Sequence, residues 1–170
     1  WEKLGKKPFV SLQKWPEHEE EYIDAKAEAA EEMVYATLAD IYGILKLTNI
    51  KTPQKITIIA ADQWKYEFTS TMKKLLEKTR NAGEIIKTLM QGNLKQHGQE
   101  IAKLVTRIIT DPSKLPAQDT EQNVELAALT ESKTLIESEF KCTVHITPAE
   151  KSPEQKAKQA MPGKPAIVIV

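Results

Sequence analysis

A chain of 170 residues has room for one ordinary domain with a real hydrophobic core, and 41% apolar with 28% charged residues excludes a wholly disordered polypeptide. No apolar run approaches the eighteen or so residues needed to span a bilayer, there is no charged-then-apolar leader, and the single Cys142 cannot form an internal disulfide, so a cytoplasmic setting without membrane contact is expected. The net charge of zero conceals a sorting: residues 1–50 carry 6 basic and 10 acidic side chains, 51–110 carry 11 and 5, 111–148 carry 3 and 7, and 149–170 carry 4 and 2. A basic middle and a basic tail between acidic segments suit a surface that binds a polyanion.

In chain order, the first sixteen residues lack periodicity and read as an irregular lead-in. Pro16, then Glu17, Glu19, Glu20 and Glu21, predict a helix start, because acidic side chains favour the positive end of the helix dipole. Ile23, Ala27, Ala30, Val34, Leu38, Ile41 and Leu45 at helical spacing carry that helix to about Lys46. The β-branched run from Lys55 to Ala61 predicts a buried strand, and Asp62 should cap a helix whose apolar face is Trp64, Phe68, Met72 and Leu75, with Lys65, Lys73, Lys74 and Lys78 off that face. A short helix over 84–90 follows. Leu94, Gly98, Ile101, Val105 and Ile108 define another, opposite a polar side with Lys103 and Arg107.

After a loop over 111–119, Val124, Ala128, Leu135, Ile136 and Phe140 predict one acidic amphipathic helix, and Cys142 to Thr147 a strand. A helix over 153–160, the turn Pro162-Gly163-Lys164-Pro165 and a last strand from Ala166 to Val170 complete the chain. The predicted fold is mixed α/β and predominantly helical: a long N-terminal helix, then a small sheet of about three strands covered by amphipathic helices. The last two strands, joined by a helical crossover, should be parallel with a right-handed connection. The segments 1–50 and 51–170 read as separate pieces of architecture.

Chemistry is sparse. His18, His97 and His145 are scattered, Cys142 has no neighbouring group to activate it, no set of metal ligands has workable spacing, and neither phosphate-cradling glycine motif is present. No catalytic residue and no metal site is therefore expected within these residues. The basic side chains are the better lead. Lys73, Lys74, Lys78, Arg80 and Lys87 fall on two successive helices and Lys103 and Arg107 on a third, which is what phosphate contact requires. Aromatic residues do not interleave with them, so recognition of a folded RNA by shape and backbone is favoured over stacking on unpaired bases, and no DNA partner is expected.

The final stretch, Lys156-Ala-Lys-Gln-Ala-Met-Pro-Gly-Lys-Pro-Ala-Ile-Val-Ile-Val170, resembles the carboxyl end of archaeal and eukaryotic-type leucyl-tRNA synthetases, which close on a similar K-A-x-Q-A-x-P-G-K-P-A-I segment. Trp15-Pro16-Glu17 leading into Asp24-Ala-Lys26 resembles the end of that family's helical anticodon-binding bundle, and Ala61-Asp-Gln-Trp-Lys65 resembles the junction after its first C-terminal strand. The resemblance implies a C-terminal portion of a synthetase: residues 1–50 closing the helical bundle and 51–170 forming an α/β tRNA-binding domain. It implies tRNA-Leu as partner, bound through its body and long variable arm, and no cofactor here, since ATP and leucine would belong to a catalytic domain elsewhere in the parent chain. Lys156, Lys158 and Lys164 lie in the matched tail, and Ile169 and Val170 align with the family's terminal contact residues. The family often ends in an acidic residue; here Val170 would leave only the chain-terminal carboxylate for such a contact. The alternative expectation is a non-catalytic protein-interaction module, or the equivalent domain of another class I synthetase, with the long helix binding a partner subunit.

Overall fold

The computed structural model describes residues 24–116 and 119–170. The lead-in and the helix start predicted after Pro16 lie outside them, but a single helix from Pro16 to Lys46 does not form: Asp24 is extended, at φ −105° and ψ 98°, and its carboxylate starts the helix at Ala25 instead. Among the described residues, helix α1 spans Ala25–Thr48, capped by the Asp24 carboxylate, which accepts from the backbone N–H groups of Lys26 and Ala27, and closed by Asn49 in the left-handed region at φ 55°. Strand β1, Lys55–Ala60, leads into α2, Gln63–Leu76, and α3, Ala82–Leu89. A 3-10 turn over Asn93–His97 precedes α4, Gly98–Thr110. Then come α5, Gln122–Glu131, α6, Lys133–Phe140, strand β2, Thr143–Pro148, and strand β3, Ala166–Ile169. The mixed, predominantly helical class with a three-stranded sheet is as expected.

The strand arrangement corrects the sequence reading. The order is β2-β1-β3, with β1 parallel to β2 and antiparallel to β3, so the last two strands never pair. Two physical facts decide it. Strand β1 is the most buried of the three, with Ile56, Ile58, Ile59 and Ala60 fully enclosed, as the central place demands. The link from β2 to β3 contains Pro153, Pro162 and Pro165 and forms only two 3-10 turns, Ala149–Lys151 and Gln155–Gln159, in place of the predicted helix over 153–160. A parallel crossover needs a longer covering element.

The predicted helix over 124–140 is two helices meeting at Ser132. Thr130 donates its hydroxyl to the Leu126 carbonyl at 2.6 Å, a back-bond that bends helices, and the change of phase turns Leu135 outward, 56% exposed, while Ile136 and Phe140 stay buried. One apolar cluster joins Met33, Val34 and Ile41 of α1 to Ile56 and Ile58 of β1, Val144 of β2, and Leu129, Ile136 and Phe140 of α5 and α6. A second is built by α2, α3 and α4 from Trp64, Phe68, Met72, Ile85, Ile101 and Val105.

Asp62 occupies the cap position of α2 but makes no capping bond; the Glu150 carboxylate instead accepts from the Gln63 N–H at 2.6 Å. Burial, then the neighbouring Glu150, pushes the Asp62 carboxyl above its ordinary range. Burial works upward on Glu150 too, but donors including the Gln63 N–H and the Gln122 amide outweigh it and leave that carboxyl lowered. The member of the pair with the lowered pKa thus lies at the positive end of α2. No helix among the described residues is long and apolar enough to cross a membrane.

Candidate nucleic-acid interface

The turn after the 3-10 segment Gln155–Gln159 sets the geometry of the basic tail. Met161 and Lys164 exchange both backbone hydrogen bonds, at 3.0 and 2.8 Å, with Pro162 and Gly163 between them and Gly163 at φ +73°. That is the arrangement of a type II turn, which wants proline first and glycine second. A Cβ on Gly163 would meet Pro116 at an ordinary 3.5 Å, so space is not the constraint; the backbone angle is. Gly163→Ala is expected to lower stability by about 1–2 kcal/mol, measured by denaturant unfolding, and a neutral result would refute the turn assignment.

This turn, the segment before it, α1, α4 and the loop over 111–116 enclose a cleft of about 1040 Å3. Its floor is apolar, including Ile44, Leu104 and Ile108, and its basic groups are Arg107, Lys114, Lys156 and Lys164. A shallower depression of about 600 Å3 runs along α4 past Lys103 and Thr106 and shares Arg107 and Lys114 with the cleft. The two form one basic track, with Asp40 and Asp111 as its acidic members. Lys114 pairs with Asp111 at 3.2 Å, and Lys156 donates to the Ile167 carbonyl at a long 3.4 Å; Lys103, Arg107 and Lys164 make no salt bridge among the described residues. Exposed cations on rigid elements with no internal partner can neutralise phosphates without first breaking an ion pair.

The other predicted residues are not gathered here. Lys73 and Lys74 end α2, Lys78 and Arg80 lie in the turn after it, and Lys87 ends α3; none lines the cleft. Lys73 pairs with Asp119 at 2.7 Å, and that bond, ahead of other causes, holds the Asp119 carboxyl below its usual range. Lys158 is exposed beside the cleft wall. Ile169 and Val170 stand at the far end of β3, next to Ile56 and Lys55, roughly 20 Å along the strand from Lys164. The Val170 carbonyl oxygen accepts from the Gln54 and Lys55 N–H groups at 2.8 and 3.0 Å, so that oxygen is already engaged by the sheet.

Three side chains escaped the sequence reading. Lys114 sits in an acidic segment that looked like a plain loop. Lys65, expected off the apolar face, is 2% exposed; its Nζ donates to the carbonyls of Lys158 and Ala160 at 2.6 and 2.7 Å, and burial pulls its pKa below the ordinary value. Glu125 is fully buried and accepts from the Gly163 N–H and the Thr120 hydroxyl at 2.6 Å each and from the Tyr66 hydroxyl at 2.7 Å. Burial, then Glu125, raises the Tyr66 pKa far above its ordinary value, keeping it a donor. A signal was present: Lys65 is spaced i, i+4, i+7 with buried Thr69 and Met72, and Glu125 lies one turn before buried Leu129.

Among the described residues the histidines and the cysteine stand apart from one another. His97 stacks on Trp64, with ring centroids 4.4 Å apart and planes 9° from parallel, His145 is exposed on β2, and His18 lies outside the described residues. Cys142 is half-buried, its thiol pushed up by burial and then by Glu137. Among the described residues no group of three or more His, Cys, Asp or Glu could hold a metal.

No family model matches the chain. It is similar to leucine–tRNA ligases of archaea: 34% identical over 169 residues to that of Pyrococcus horikoshii, covering 99% of this chain and 17% of the relative. The corresponding values are 36% over 169 residues, 99% and 17% for Pyrococcus furiosus, and 38% over 179 residues, 99% and 18% for Methanosarcina acetivorans. The chain thus spans about a sixth of the length of the curated relatives it matches.

Proposed function

The chain belongs to the leucyl-tRNA synthetase family, as a stretch about 17% as long as its archaeal members, and from that premise we propose that it is the carboxyl-terminal tRNA-binding region of such an enzyme. Its task is placement. Lys and Arg contacts dock the body and long variable arm of tRNA-Leu so that the acceptor end reaches a catalytic domain elsewhere in the parent chain, where ATP-dependent leucylation occurs. No cofactor acts within this region, and the setting is cytoplasmic.

The observation that carries the reading is the continuous basic track through Lys103, Arg107, Lys114, Lys156 and Lys164, which unites the basic middle of the sequence with the basic tail. Lys78, Arg80 and Lys87 on the α2–α3 side would act as outlying contacts. Ile169 and Val170, at the other end of β3, would contact a different part of the RNA from Lys164.

The test is titration of labelled tRNA-Leu against a tRNA with a short variable arm. Selective binding is expected, weakening roughly 100-fold between about 50 and about 200 mM salt if four phosphates are neutralised. Equal affinity for both RNAs would reduce the track to a generic basic surface. Absence of binding, with self-association instead, would favour an interaction module using the exposed Tyr35 and Leu47 of α1.

A further inference from the structure

We propose that Lys65 and Glu125 are positioning residues for RNA binding, two buried and opposite charges that clamp the 156–164 segment onto the body and thereby set the spacing of Lys156, Lys158 and Lys164. This rests on the RNA-binding reading above. The segment is poorly built to hold itself: it contains one five-residue 3-10 turn and one tight turn, with few backbone bonds of its own. The clamp supplies what it lacks. Lys65, from α2, grips the carbonyls of residues 158 and 160, and Glu125, from α5, grips the N–H of residue 163. Each of the three tail cations is therefore a gripped residue or within two residues of one.

Packing alone does not call for these side chains. Taking an ammonium and a carboxylate out of water is costly, and apolar residues of similar volume would fill the same space. Nor do the two charges pair with each other: each spends its hydrogen bonds on the tail, apart from the Tyr66 and Thr120 hydroxyls on Glu125. Directional bonds from rigid helices to backbone atoms fix a position in a way that apolar contact does not. Lys65 also belongs to the Ala61-Asp-Gln-Trp-Lys65 stretch, so the clamp joins two segments singled out independently in the sequence.

The experiment compares Lys65→Met and the milder Glu125→Gln with the tail variant Lys156→Ala/Lys158→Ala/Lys164→Ala, in the full-length synthetase containing this chain. Dissociation constants for labelled tRNA-Leu are measured across a salt series. The tail variant is expected to weaken binding roughly tenfold or more and to reduce the slope of log affinity against log salt by about 1 to 3. Lys65→Met should reproduce most of both changes and add less than about twofold on the tail-variant background. A merely structural residue would lower the folded fraction without moving the salt slope.

Hydrogen exchange of β1 amides confirms that the body remains folded, while amides over 155–164 should lose protection. If Lys65→Met unfolds β1, Glu125→Gln supplies the decisive comparison. The clamp is overturned if affinity and slope stay unchanged while the tail variant lowers both, or if the losses simply add. If the tail variant itself binds normally, the interface reading fails, and the clamp's role in RNA binding fails with it.

Discussion

Reversing Arg107 and Lys164 together, as Arg107→Glu with Lys164→Glu, is expected to weaken tRNA-Leu binding by roughly 100-fold at low salt, about 2.8 kcal/mol. Both side chains line the cleft, one from α4 and one from the Pro-Gly turn, and both are exposed without a salt bridge among the described residues. Their loss removes two attractive contacts, and the new carboxylates repel the phosphates they face. Because neither is buried, the change in stability should stay within about 0.5 kcal/mol. The matched control is Lys78→Glu with Arg80→Glu, equal in charge but placed after α2 and away from the cleft, for which a loss of only a few-fold is expected. Fluorescence anisotropy at two salt concentrations decides between them. Equal losses would show that total charge matters and the cleft does not.

Glu125→Leu should be the most damaging single substitution for stability, by about 3–5 kcal/mol. The carboxylate is fully buried and serves three donors at 2.6–2.7 Å: the Tyr66 hydroxyl, the Thr120 hydroxyl and the Gly163 N–H. Leucine fills the volume but accepts nothing, and each stranded donor costs about 1–3 kcal/mol. In a chain of this size the melting temperature should fall by roughly 6–20 °C. Tyr66→Phe removes one donor and leaves the other two served, so its cost should be about 1 kcal/mol. Thermal denaturation followed by circular dichroism measures both. A loss below about 1 kcal/mol for Glu125→Leu would mean that the network is not closed in solution.

What the sequence disclosed depended on how local the cause was. The α1 stripe from Ala30 to Ile41, the β-branched run of β1 and the Trp64, Phe68 and Met72 face of α2 each follow from residues close together in the chain and formed where periodicity placed them; the start of α1 did not, because Asp24 and not the acidic run after Pro16 caps it. The Pro162-Gly163 turn was equally legible. The antiparallel placement of β3 was not, because it depends on β1 outcompeting β2 as a neighbour across more than a hundred residues. The break at Ser132 was hidden for a different reason: Leu135 and Ile136 are both apolar, and periodicity cannot say which of two adjacent apolar residues the core will take. In the candidate site, Arg107 was named from charge and Lys156 and Lys164 from the resemblance of the tail, but their meeting in one cleft is a property of the fold. Lys65 and Glu125 were missed because charged side chains are ordinarily assigned to water.

The position of β1 between two strands from the end of the chain has a consequence for synthesis. Its partners begin at Thr143 and Ala166, so at ordinary translation rates this isoleucine-rich strand waits roughly 5–20 s for both edges. Over that interval α2, α3 and α4, whose contacts are local in sequence, can already enclose their own cluster. Lys103 and Arg107 would therefore be presented on a formed surface while the rest of their cleft is still being made. The nascent chain is most exposed to aggregation at β1, and the last two strands are what end that exposure.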